Sequence, residues 1–113
     1  MKSEAIRGHL DLLLLALLAE EPLHGYALIE RLRVRSGGEF DLPEGTVYPA
    51  LHRLENADLL TSEWDETSGR KRRSYRLTQR GREVLGEEQS HWRRFSSAVS
   101  ETLGGVRPWP TTP

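Results

Sequence analysis

Residues 59–78 read LLTSEWDETSGRKRRSYRLT, and the way this stretch divides decides the fold. Residues 59–65 and 70–78 are short strand-like runs, and Glu66-Thr-Ser-Gly69 between them is turn-prone, so the stretch predicts a β-hairpin. In the second run Tyr75 and Leu77 share one face while Ser74 and Arg76 share the other, the alternation of a half-buried strand. Five of the eight residues 69–76 are basic, in a chain whose formal net charge is only -1.

Upstream lie three helical patterns. Residues 3–20 are dense in Leu and Ala and apolar on nearly every side beyond position 12, as befits the central helix of a small core. Pro22 stops it, because proline lacks an amide proton and crowds the preceding turn. HGYALIERLRVR, from His24, places Ala27, Leu28 and Leu32 at helical spacing, and Ser36-Gly37-Gly38 ends it. A third helix spans residues 44–57, with Val47, Leu51 and Leu54 as a narrow inward stripe. Pro49 bears on its start: with Thr46 as cap the proline sits harmlessly in the first turn, and with a start at Glu44 one hydrogen bond is lost.

Downstream, residues 79–103 predict one long helix with a single apolar seam of Leu85, Trp92, Phe95, Val99 and Leu103, at steps of seven, three, four and four. The tail GGVRPWPTTP carries three prolines and no periodicity and reads as flexible.

Composition narrows the function. A chain of 113 residues with 36% hydrophobic and 29% charged residues fits one soluble domain. With no cysteine there are no disulfides or thiolate metal sites, which agrees with a cytoplasmic setting. The apolar run 12–19 is far shorter than the roughly 20 residues that span a bilayer. His9, His24, His52 and His91 are too dispersed for a spaced metal motif, and neither a Gly-x-Ser-x-Gly elbow nor a phosphate-cradling loop occurs, so neither an enzyme nor a cofactor is expected. The near-zero net charge hides a patch. Residues 1–66 hold thirteen acidic against six basic side chains, residues 67–113 four against ten, and seven of those ten fall between Arg70 and Arg82.

Three helices, a hairpin and a long amphipathic helix form the element order of a winged helix-turn-helix with a dimerisation helix: mainly α, with a small antiparallel β-hairpin. In that arrangement the third helix enters a DNA major groove and the hairpin reaches the flanking backbone. Arg70, Lys71, Arg72 and Arg73 lie at the hairpin tip and early second strand, and forked guanidinium donors match phosphate oxygens. A solvated edge that blocks aggregation is the plainer explanation of the same charges. On the third helix Thr46, Tyr48, His52 and Arg53 are candidate contacts, with Tyr26 early in the second. Each also has a structural explanation: Thr46 as cap, Tyr48 and Tyr26 as packing, Arg53 as the partner of an acidic neighbour. Trp92 is most simply a dimer-core residue, and a ligand role would need a cavity between subunits.

These residues resemble the PadR-like transcriptional regulators. The likeness rests on LLLLALLAEEPLHGYALIERL at 12–32, LPEGTVYPALHRLENADLL at 42–60 and GRKRRSYRLTQRGREVL at 69–85, in order along residues 10–103. It implies a homodimeric winged-helix repressor of the short subfamily, bound to a double-stranded operator and often relieved by a small aromatic or cationic effector. Carried over residue by residue, it implies wing arginines at Arg70, Arg72 and Arg73, recognition contacts at Thr46, Tyr48 and His52, a dimer helix over 80–103, and a pocket aromatic at Trp92. Ser74, where many relatives have a second tyrosine, and Lys71, where proline is common, imply a less fixed wing tip. The expected organisation is a DNA-binding part over 1–78, a dimerisation helix over 79–103 and a tail over 104–113. A protein-interaction adaptor, its basic hairpin on an acidic partner, is the competing class.

Overall fold

The structure is a computed structural model that describes residues 6, 8–67 and 69–105. The expected helix start at residues 3–5, the turn residue Ser68 and the tail from Val106, with Trp109, lie outside the described residues, and the single helix expected over 3–20 is not formed, because Gly8 and His9 make a turn and the helix begins at Leu10.

Among the described residues from Leu10 on, four helices and a three-stranded antiparallel sheet follow one another as α1 (Leu10–Glu20), β1 (Leu23–His24), α2 (Gly25–Arg35), α3 (Glu44–Asn56), β2 (Leu60–Thr67), β3 (Arg70–Leu77) and α4 (Gln79–Leu103). The leucine run of α1 is the centre of the core: Leu14 and Leu15 are fully buried among Leu28, Val47, Leu51, Leu54, Leu60 and Tyr75. The inward stripe of α3 is Val47, Leu51 and Leu54, with Ala50 beside them. The helix begins at Glu44 behind Pro43, so Pro49 lies beyond the first turn, and because it has no N–H the helical hydrogen bond to the Gly45 carbonyl is forfeited.

Two helix ends share one device. After α2, Gly37 (φ 65°) donates to Val34 and Gly38 to Arg33. After α3, Asp58 (φ 63°) donates to Glu55 and Leu59 to Leu54. Both are Schellman caps, and Asp58 fills the left-handed position that glycine usually takes.

The sheet order is β1-β3-β2. The expected hairpin is therefore one edge of a three-stranded sheet, because Leu23 and His24 pair with Tyr75 and Ser74. The first hairpin strand runs further than the sequence pattern suggested, to Thr67, while β3 starts at the expected Arg70, which leaves a two-residue connection in which Gly69 adopts φ 76°. Opposite pairs such as Ser62 with Tyr75 and Leu60 with Leu77 close the buried face.

The last helix has two distinct parts. Thr78 caps it by accepting from the Gly81 amide at 2.9 Å. Its hydroxyl also donates to the Asp58 carbonyl at 2.6 Å, and its own amide donates to Leu59 at 3.1 Å. Gly81 and Leu85 are buried, whereas Trp92, Phe95, Val99 and Leu103 are exposed. Leu85, expected on the seam, thus belongs to the core of its own domain, since the helix is still docked there.

Candidate nucleic-acid interface

The candidate surface is built on two supports, α3 and the hairpin β2–β3. On α3 the buried stripe leaves Gly45, Pro49, His52 and Asn56 as the outward ridge by helical spacing, flanked by Tyr48 on one side and by Thr46 and Arg53 on the other. Thr46 does not cap the helix by its side chain; Pro43 holds that position. Tyr48 is half-buried because its ring lies against the backbone of Gly25, where any Cβ would meet ring atoms at 2.5–2.6 Å. Gly25 and Tyr48 are thus a lock between α2 and α3. Burial raises the Tyr48 phenol above its ordinary pKa. Tyr26 stands edge-on to Tyr48, with centroids 6.4 Å apart, and is well exposed. Hydrogen bonding to the Glu44 carboxylate and its charge raise the Tyr26 phenol, while Arg70 opposes them.

The second support carries the basic run. Together with α3 it walls an open groove of about 740 Å³, lined among others by Tyr26, Tyr48, His52, Trp64, Arg70 and Arg72. Folding also brings acidic side chains to the arginines: β2 sets Glu63 opposite Ser74, Asp65 opposite Arg72 and Glu66 opposite Lys71. Glu63 is taken by Arg76 at 2.8 Å, and Asp65 lies 3.4 Å from His24 Nε2.

Two of the expected cations have partners within the chain. Arg53 makes a two-pronged ion pair with Asp11 of α1, at 2.7 and 3.0 Å, which raises its pKa further. Arg73 points back along the wing, donating to Ser62 Oγ at 2.8 Å and lying 5.1 Å over the Trp64 ring. Lys71 and Arg72 are exposed and form no ion pair within 4.0 Å among the described residues. Trp64 itself, 64% exposed on the groove face, was missed in the sequence; only its strand register places it there.

A second hollow, of about 310 Å³, lies where α4 crosses the start of α1 and is lined by Gly8, His9, Leu12, Glu88, His91, Trp92 and Phe95. His9 meets Trp92 edge-on at 5.2 Å. Among the described residues no cluster of His, Asp and Glu is arranged to hold a metal ion, and no helix is long and apolar enough to cross a membrane.

The profile of the Transcriptional regulator PadR-like family matches residues 14–87, from the leucine run through the docked turns of α4. The chain belongs to the PadR-like family of transcriptional regulators. PadR-like proteins of known structure share the fold. The chain is similar to a PadR family regulator from Eggerthella lenta, at 36% identity over 90% of this chain and 88% of that one, with a TM-score of 0.79. It is also similar to a transcriptional regulator from Clostridium thermocellum, at 26% identity over 93% of this chain and all of that one, with a TM-score of 0.82. Among sequences, transcriptional regulator Rv3488 of Mycobacterium tuberculosis is 41% identical over 77% of this chain and 76% of its own length. The fold is a PadR winged helix, and the α3–wing groove lies within the stretch the family profile covers.

Proposed function

We propose that the chain is a homodimeric repressor that binds a pseudo-palindromic DNA operator with the ridge of α3 in the major groove and the wing on the flanking backbone. One observation carries this: the outward face of α3 and the exposed Lys71 and Arg72, with Arg70 beside them, rim a single open groove. Tyr26, Tyr48, His52, Arg70, Lys71 and Arg72 are its contacts, with Thr46 at the margin. Two such faces in a dimer meet half-sites about 34–36 Å apart, one helical turn of DNA. The projecting seam of Trp92, Phe95, Val99 and Leu103 supplies the dimer contact, since four large apolar side chains on one exposed helix face require a cover. The organisation is then a DNA-binding part over 1–78 and a dimerisation helix over 79–103, acting in the cytoplasm.

The hollow between His9 and Trp92 favours a second feature, relief of repression by a small aromatic or cationic effector. Aromatic rings at its wall offer stacking and cation–π contacts, and Glu88 offers a counter-charge. Such compounds should quench tryptophan emission in the wild type and not in Trp92→Ala.

Selection of bound duplexes from a random-sequence library tests the DNA reading. An enriched inverted repeat is expected, and Arg70→Ala with Arg72→Ala should reduce the salt slope by about two, one for each phosphate left without its cation. A library without enrichment, joined to capture of an acidic protein by the wing, would favour the adaptor class instead.

A further inference from the structure

We infer that Arg73 is a positioning residue: it fixes the angle of the wing against α3 and does not itself touch DNA. The inference rests on the DNA-binding reading above, and it begins from where the sheet stops being three strands wide. The backbone of the short β1 pairs with Ser74 and Tyr75 and no further along β3, and only the His24 ring continues, with Nδ1 3.3 Å from the Arg73 carbonyl oxygen. Beyond that point the wing is a two-stranded ribbon, and such ribbons hold their shape poorly on their own. Trp64 and Arg73 form the first rung outside the three-stranded part.

At this rung a chain of contacts runs from the wing to the last turn of α3. Arg73 Nε donates to Ser62 Oγ at 2.8 Å, and the Ser62 hydroxyl donates in turn to Glu55 Oε2 at 2.6 Å. Arg73 Nη2 lies 4.0 Å from the same carboxylate oxygen, and the guanidinium covers the Trp64 ring at 5.1 Å. The Arg73 and Glu55 side chains are 39% and 28% exposed, so the bonds of this group are partly shielded from competing water. The Nε–H edge and one planar face of Arg73 are thus engaged on the wing side, where a phosphate would otherwise take them. Lysine could replace the charge and not the geometry, because it has neither a fixed Nε–H nor a flat stacking face.

The lever arm explains why the angle matters. Arg70 lies three residues beyond Arg73, about 10 Å along a strand, so a ribbon rotation of about 10° shifts the tip by about 2 Å. A shift of that size breaks hydrogen bonds to phosphates while α3 stays in its groove. Loss of the clamp therefore lowers specific binding, in which tip and helix must be satisfied together, more than it lowers loose electrostatic binding.

The test has two arms. In free protein, a double-mutant cycle by chemical unfolding should show Ser62→Ala and Arg73→Gln to be strongly non-additive, since each breaks the same chain; additive effects overturn the clamp. For DNA, the duplex enriched from the random library by wild type is compared with poly(dI-dC). Arg73→Gln and Arg73→Lys should both weaken the enriched duplex by about tenfold, the size of one charge-assisted bond. Poly(dI-dC) affinity and the salt slope should stay at the wild-type values. Glu55→Gln should reproduce this pattern, so a folding failure at position 73 leaves the question decidable. Retained affinity in Arg73→Lys, with a slope lower by about one in Arg73→Gln, makes Arg73 a phosphate contact and overturns the proposal. A library that yields no enriched duplex counts against the DNA reading, and the cycle in free protein still reports on the clamp.

Discussion

The two halves of α4 are the same helix in the same chain, and they obey different rules. Up to Leu85 the helix is docked through close backbone fit, with Gly81 against Leu59 and Thr78 bonded to Asp58 and Leu59. Beyond Leu85 none of the described residues of α4 is buried, yet the apolar seam continues to Leu103. The first half is completed by its own domain. The second keeps its seam exposed, touched by His9 at Trp92 and Phe95, so under the dimer proposed above substitutions in the two halves should separate stability from association.

Gly81 gives the largest expected effect. A Cβ there would lie 2.1 Å from the Leu59 carbonyl oxygen, a backbone atom that cannot swing aside. Gly81→Val should cost more than about 4 kcal/mol or abolish folding, beyond ordinary overpacking because the clash is with main chain; a near-normal melting curve would break the docking account. Leu85→Ala should cost about 2–4 kcal/mol, the range for removing a buried leucine, at any protein concentration.

In the projecting half the expected signature is reversed. Phe95→Asp should leave the monomer fold intact by circular dichroism and weaken self-association by at least about thirtyfold, an interface anchor being worth about 2 kcal/mol or more. Sedimentation measures it; an unshifted dimer would remove the seam from the interface. The dependence of melting temperature on concentration should vanish in this variant and persist in Leu85→Ala.

How much of this was legible in the sequence follows from the range of each interaction. The limits of α4 and the inward stripe of α3 depend on local periodicity and were readable. The strand β1 was not, since two residues carry no alternation, and Leu23 and His24 pair only because β3 arrives beside them. Leu85 and Trp92 share one stripe, and nothing local says that burial ends between them. Gly25 and Gly81 likewise look like loop or helix glycines until Tyr48 and Leu59 are brought against them. The wing was readable as a basic hairpin. The split between Arg72 and Arg73 was not, because it depends on the register that sets Arg73 opposite Trp64 and diagonal to Ser62, and on reach across to Glu55 in the preceding helix.

Thr78→Ala sharpens the boundary more gently. It removes the cap to Gly81 and the bond to Asp58, and should cost about 1 kcal/mol, the usual size of a missing N-cap. A loss confined to stability, with association unchanged, would keep Thr78 within the docked half.

The smallest effect should come from acid. Arg35 beside Glu20, and Arg33 beside Glu30, hold those carboxyls below their ordinary pKa. A carboxyl lowered in the folded state contributes stability that is present above its unfolded value of 4.5 and is lost as the pH falls through the folded value. Both carboxylates are exposed, so salt and water screen the pairs and their share is slight. The melting temperature should therefore be nearly flat from pH 7 to about pH 5 and decline only below that, in wild type and in Thr78→Ala alike. A steep loss above pH 5 would mean that charge contributes more to the fold than these exposed pairs account for.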